Sequence, residues 1–162
     1  MMLFTKSVSY DSAPDTKAHI ENVQHKMKDV IAVLSKRALE HDKSKLESPE
    51  KEIFDKYSPK LSQTKYGSDE YKSYLKEMQV ALDHHYGENR HHPEHFELGI
   101  NDMSLMDVVE MFIDWMASCE RTEDGDIYKS IEINQKRFGF SDDIKKIFIN
   151  TAKEFNEKKV SE

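Results

Sequence analysis

"SLMDVVEMFIDWMAS", residues 104 to 118, carries the clearest structural signal in the chain. Leu105, Val108, Val109, Phe112, Ile113 and Met116 recur at three- and four-residue steps, the period of one buried helical face. Ser104 with Asp107 three residues on is a helix start signal. Glu110 and Asp114, four apart, stand one above the other beside that apolar stripe and next to Trp115. A carboxylate at the edge of a packed face needs a cation or hydrogen-bond donors, because burying it alone costs several kcal/mol, about the cost of any unpaired charge. A salt bridge and a metal ion both meet that need.

Working outward, the same period runs from Asp15 to Val33 through Ile20, Val23, Met27, Val30 and Ile31, on to Leu34. Ser35 is a candidate cap for a second helix, "KRALEHDKSKL". "SPEKEIFDKY" has Ser48 at a cap position and Pro49 at the first helical position, with a stop expected at Ser58-Pro59. "GSDEYKSYLKEMQVALDHHYG" reads as a helix stopped by Gly87. The stretch after it is irregular, since Pro93 disfavours helix at His92. "EDGD" is a turn, "IYKSIEINQKRF" is helical up to Gly139, and Ser141 caps a final helix, "DDIKKIFINTAKEF". No segment alternates over five or more residues, so the expectation is an all-α chain, a single compact bundle of about six helices.

Composition narrows the function classes. The 162 residues suffice for one domain with a sizeable core, expected to span 1–162. Hydrophobic residues make up 37% and charged residues 34%, polar for a globular domain, yet eight Phe and seven Tyr supply large apolar surfaces. The net charge of −7 disfavours a non-specific nucleic-acid binder, whose affinity rests on phosphate neutralisation. A small anionic substrate stays open, because a metal can supply local positive charge. The single cysteine, Cys119, rules out an intramolecular disulfide and suits a reducing compartment. The apolar run at the start of "MMLFTKSVSYDSAP" is too short for a signal peptide or membrane span, so the expected location is the cytoplasm.

Histidine is the outlier. There are eight, and five fall between positions 84 and 95. His41 stands directly against Asp42. On one unbroken helix His25 and His41 would be about 24 Å apart at ~1.5 Å per residue, too far to share an ion. A chain reversal near Leu34-Ser35 would bring them face to face, and Ser35 is the residue that argues for it. "DHHYGENRHHPEHF" gathers His84, His85, Asn89, His91, His92 and His95. Clustered imidazoles bind transition metals or donate to phosphate oxygens. The spacing is not HExxH, and without Cys partners a closed structural zinc site is not indicated.

In order, His25, His41-Asp42, the histidines at 84–92 and Asp114 resemble the HD-domain metal-dependent phosphohydrolase superfamily, with its H…HD…D pattern on helices. "HDKSK" and "NRHHPE" are similar more narrowly to a phage and bacterial HD-like family with HDxSK and NxHHPE motifs. The resemblance covers roughly residues 19 to 118, with further helices at about 126–156. It implies that His25 (with His19 as a rival), His41, Asp42 and Asp114 ligate a first metal. His85, His92 and His91 would serve a second metal or the phosphate. Lys45, with Asn89 and Arg90, would bind substrate phosphate, and Glu110, Glu50 or Asp42 would accept a proton. The short His25–His41 spacing and the absence of a GYP signature depart from that pattern.

The function that this implies is hydrolysis of a phosphoester, a nucleotide or nucleotide-derived small molecule, assisted by one or two divalent ions. Mixed His and Asp ligands suit Mn, Fe, Co, Ni or Zn better than Ca. The setting implied is the cytoplasm of a bacterial or phage-infected cell, with no membrane partner and no strong case for nucleic acid, and a homo-oligomer stays open. Two alternatives belong to other classes. One is a non-catalytic metal- or nucleotide-binding or host-interaction protein, and the other is an HD-type diiron oxygenase.

Overall fold

The structure is a computed structural model, and it describes residues 10–65, 67–121 and 123–160, with side chains through residue 156. The N-terminal run on which no leader was expected lies largely outside the described residues. Seven α-helices and no strand are found among the described residues: α1 (Ala13–Glu40), α2 (Glu50–Gln63), α3 (Asp69–Glu77), α4 (Gln79–Glu88), α5 (Leu105–Cys119), α6 (Ile127–Phe138) and α7 (Asp142–Val160). The fold is all-α, with one helix more than expected. None of these helices is long and apolar enough to cross a membrane.

Local chemistry accounts for most boundaries. Ser104 and Asp107 form a reciprocal capping box at the start of α5. Asp126 accepts from the Tyr128 and Lys129 amides at the start of α6. Gly139 ends α6 in the left-handed conformation at φ 69°, where a side chain would be strained. Boundaries in three regions differ from the sequence expectation. α1 is one unbroken helix across Ser35, because Leu34 and Ala38 continue its apolar face and nothing competes for the backbone there. α2 runs through Pro59 and starts at Glu50, with Pro49 rather than Ser48 at the cap position. α3 and α4 are divided at buried Met78, and α4 passes Gly87 to end at Asn89.

The main core joins α5, α6 and α7. Met111, Phe112, Ile131, Phe140, Phe148 and Ala152 are buried, with Trp115, Val108 and Met116 packed against them. Phe112 and Phe148 stack at 4.7 Å, and Trp115 meets Phe148 edge-on at 5.6 Å. A second packed group joins α2, α3 and α4 through Tyr57, Met78 and Ala81. α1 packs on α5. The turn Lys43–Leu46 and the loop of residues 89–104 close the space where α1, α4 and α5 meet.

Candidate metal centre

The histidine–aspartate pair sits where α1 ends. The His41 amide donates to the Arg37 carbonyl, and Asp42 then adopts φ 57°, ψ 14°. That left-handed conformation costs most residues about 1–2 kcal/mol, less for Asp and Asn. It turns the chain out of the helix so that both side chains face α5. α4 delivers His84 and His85 from its last turns. The Asn89 stop then redirects the chain so that His91 and His92 return to the same place. α5 supplies Glu110 and Asp114 from successive turns.

The side chains converge. Asp42, His85, His91 and His92 each offer a ligand atom within 4.8 Å of the others. His41 with Asp42 and Asp114, and His41 with His91 and Glu110, form overlapping groups on the same criterion. His41 Nε2 lies 3.6 Å from Asp42 Oδ2 and 3.7 Å from Asp114 Oδ1. Asp42 Oδ1 lies 3.4 Å from His85 Nε2 and 3.5 Å from His91 Nε2. The Nε2 atoms of His85 and His92 are 2.9 Å apart.

Two carboxylates orient these rings from behind. Glu110 Oε1 lies 3.0 Å from His41 Nδ1 and 3.2 Å from His91 Nδ1. Glu50 Oε1 and Oε2 each lie 2.8 Å from a ring nitrogen, the Nδ1 atoms of His84 and His85. An ionised carboxylate can only accept, so each Nδ1 carries a proton, and the Nε2 of a neutral ring in this pairing is left as the ligand atom. This carboxylate–imidazole pairing is the arrangement that fixes tautomer and raises basicity in metal-binding histidines. Arg37 in turn donates to Glu110 at 2.9 Å and to buried Asp107 at 2.6 Å, and Arg90 also reaches Asp107 at 3.2 Å.

The charge balance favours a cation. The Asp114 and Glu110 carboxylates raise the pKa of His41 to about 10. Burial beside His91 and His85 presses His92 down to about 3. Burial opposes ionisation of Asp42, but His91 and Lys45 outweigh it and hold its carboxyl well below the usual range. Burial likewise opposes Asp114, and His41 more than offsets it, so this aspartate is lowered too. The decisive observation is that Asp42 Oδ1 and His91 Nε2 are buried 3.5 Å apart, and neither makes a hydrogen bond of good geometry. Buried polar atoms left so are rare and costly, and these two face each other in the middle of the cluster. A divalent ion there would satisfy both, so the residues present fit a metal.

Several expected residues take other places. His25 lies on the unbroken α1, about 24 Å along and about 160° around the helix from His41, so it is exposed and outside the cluster. His19 lies further out still. The structure therefore separates the expected first ligand from the cluster, in which His91 stands beside His41 and Asp42 instead. Glu50 is fully buried behind His84 and His85, too enclosed to meet a substrate. Both Glu110 oxygens are engaged, by the two imidazoles and by Arg37. Asn89 donates to Ser44 Oγ and to the His85 carbonyl, holding α4's end against the turn Lys43–Leu46. Lys45 sits at the rim, with Nζ 2.6 Å from Asp42 Oδ2. His95 Nδ1 donates to the Tyr86 carbonyl at 2.9 Å and anchors the loop away from the centre. Asp107 escaped the sequence reading as a site element. Its cap signal was visible, but its arginine partners come from α1 and the loop.

Several cavities border the centre, two of them with polar groups in their walls. One of about 380 Å³ borders His92 and Asp114 and extends between α5 and α6 past Trp115, Ser130 and Asn134. Another of about 430 Å³ borders His41, His91 and Glu110 on the side of Lys36, Arg37 and Arg90. Replacing both His19 and His25 by Ala should leave metal stoichiometry and affinity unchanged. Loss of an ion in that double variant, measured by elemental analysis, would restore them to the ligand set.

Set beside known proteins, residues 8–154 match the model of a family described as "Family of unknown function (DUF5662)". No curated protein and no solved structure matches the chain.

Proposed function

The chain belongs to that family of unknown function, and we propose that its histidine–carboxylate cluster is the divalent-metal centre of a phosphohydrolase acting on a small phosphoester. The observation that carries this reading is the convergence of His41, Asp42, His85, His91, His92 and Asp114 within metal-ligating reach, with two poorly bonded buried atoms at its middle. Two overlapping ligand sets share Asp42, a pattern that suits a bridged pair of ions. His-rich ligation with two aspartates favours Mn, Fe, Co, Ni or Zn. Bound there, such ions would lower the pKa of water and offset charge on a phosphoryl group.

The chain's own residues divide the remaining work. Glu110 and Glu50 hold the imidazoles in one tautomer and one orientation. Lys45, paired with Asp42 and partly exposed, can turn its ammonium to a phosphate oxygen once a cation neutralises that carboxylate. Arg90, fixed by Asp107 and stacked over Phe96 at 4.8 Å, presents positive charge on the opposite rim. A nucleotide is the favoured substrate class, since the cavity beside Asp114 combines the ring of Trp115 with the polar groups of Ser130 and Asn134. The test is phosphate release from a panel of nucleotides and simpler phosphoesters by protein loaded with each metal in turn. Metal-dependent turnover supports the reading. Full metal occupancy without turnover of any phosphoester would leave a binding protein.

The proton balance gives a pH signature. His41 is raised above its unfolded value, so in metal-free protein its stabilising effect is complete below about pH 6.5 and lost as pH rises through about 10. His92 is lowered, so its share is present above about pH 6.5 and lost as pH falls towards about 3. From these two groups, metal-free protein should be most stable near the middle of that span and weaken on the alkaline side. Metal binding must displace the His41 proton, so metal affinity should rise with pH over the same alkaline range. Denaturant titrations with and without metal check both slopes, and parallel curves would contradict the assignment.

A further inference from the structure

The N-terminal part of α1 has no buried residue among the described residues. The helix has 28 residues, about 42 Å at 1.5 Å per residue, and none is buried. Ile20, Val23, Met27, Val30 and Ile31 form a continuous apolar stripe, with Met27 62% and Ile31 61% exposed. Stepping by about 100° per residue puts Leu34, Ala38 and His41 on the same face. The face that packs on α5 thus continues outward with nothing on it among the described residues. At its base lies an apolar groove of about 470 Å³, lined by Leu34, Ala38, Val109, Ile113, Ala117 and Phe155, with His41, Glu110 and Asp114 along one edge.

A helical arm of this length without packing is marginal in water, because helix stability in proteins comes mostly from the buried apolar face.

We propose that the protein is a two-fold homodimer in which the α1 arms pair antiparallel and each arm's stripe fills the other's groove. A second copy is the occupant that fits because the stripe and the groove lie on one continuous face, the self-complementary patch that a two-fold interface needs. An antiparallel pair centred on Met27 sets Ile20 of one copy beside Leu34 of the other. A parallel pair would bring the two bodies together at one end and leave both grooves unfilled. The dimer covers the apolar flank of His41, Glu110 and Asp114, so each centre is walled on that side by the other copy. This inference does not depend on what the centre catalyses.

The test is sedimentation of the full chain from micromolar to high-micromolar concentration, with variants. The expected result is a species of twice 19.0 kDa that the double change Val23→Glu with Met27→Glu converts to monomer. Fluorescence of Trp115, the sole tryptophan, lying in the α5–α7 core away from the arm, should stay native-like and so report that the body is folded. In a Cys119→Ser background, Met27→Cys should form a cross-linked dimer on mild oxidation, and Asp29→Cys, on the opposite face, should not. A wild-type monomer throughout that range would overturn the proposal, including one whose own residues cover the stripe. So would a dimer indifferent to the Val23 and Met27 changes.

Discussion

Asp42→Asn removes tight divalent-metal binding and leaves the helical fold in place. Asp42 is the one carboxylate common to two of the three overlapping groups, and its buried Oδ1 lies between His85 and His91 without a well-formed hydrogen bond. Asparagine keeps the shape and tolerates the left-handed conformation at φ 57°. The variant therefore isolates charge from backbone, whereas alanine would add strain. The amide cannot bridge cations as a carboxylate does, so the loss should exceed the roughly 10–100-fold that follows removal of a mere orienting partner. Helicity by circular dichroism and metal content by elemental analysis check the two halves together. Retained metal with retained helicity would exclude Asp42 as a ligand.

Glu50→Ala produces the largest loss of stability expected outside the apolar core. Glu50 has no exposed side-chain surface, and it receives both His84 and His85. Burial pushes its carboxyl up, but His84, Ser44 and His85 outweigh that and leave it lowered, so the pairing favours the folded state. Removing Glu50 strands the His84 and His85 N–H donors, at about 1–3 kcal/mol for a donor left buried, and adds the cost of the cavity. That is a large share of the roughly 5–15 kcal/mol that holds a typical domain folded. Metal affinity should also fall by about 10–100-fold, because His85 loses the group that fixes its tautomer. Urea unfolding of metal-free protein separates the two effects. A variant as stable as wild type, with unchanged affinity, would make Glu50 a bystander.

What could be read in the sequence was local. The capping box at Ser104 and Asp107, the Gly139 stop and the apolar stripe of α5 each depend on residues within a few positions, and all are present. His41, Asp42, Asp114, His85, His91 and His92 were identifiable as site candidates because their residue types are unusual in their settings, and they meet. His25 was misplaced because Ser35 is compatible with either a cap or a helix interior. Only the continued face through Leu34 and Ala38, and its fit to α5, decides between them. The supporting parts of Glu50, Glu110 and Asp107 were hidden for the same reason. Each is one turn of a helix whose partners come from elsewhere in the chain. The exposed apolar face of α1 cannot be told from a packed one in the sequence, since periodicity says which face is apolar and not what covers it.

Equilibrium dialysis of metal-free protein against Mn, Co or Zn, followed by elemental analysis, tests the metal centre most directly. About two ions per chain are expected, as in two-metal sites, with a clear deficit in Asp42→Asn. Protein that emerges from dialysis metal-free, or a stoichiometry identical in wild type and Asp42→Asn, would contradict the assignment.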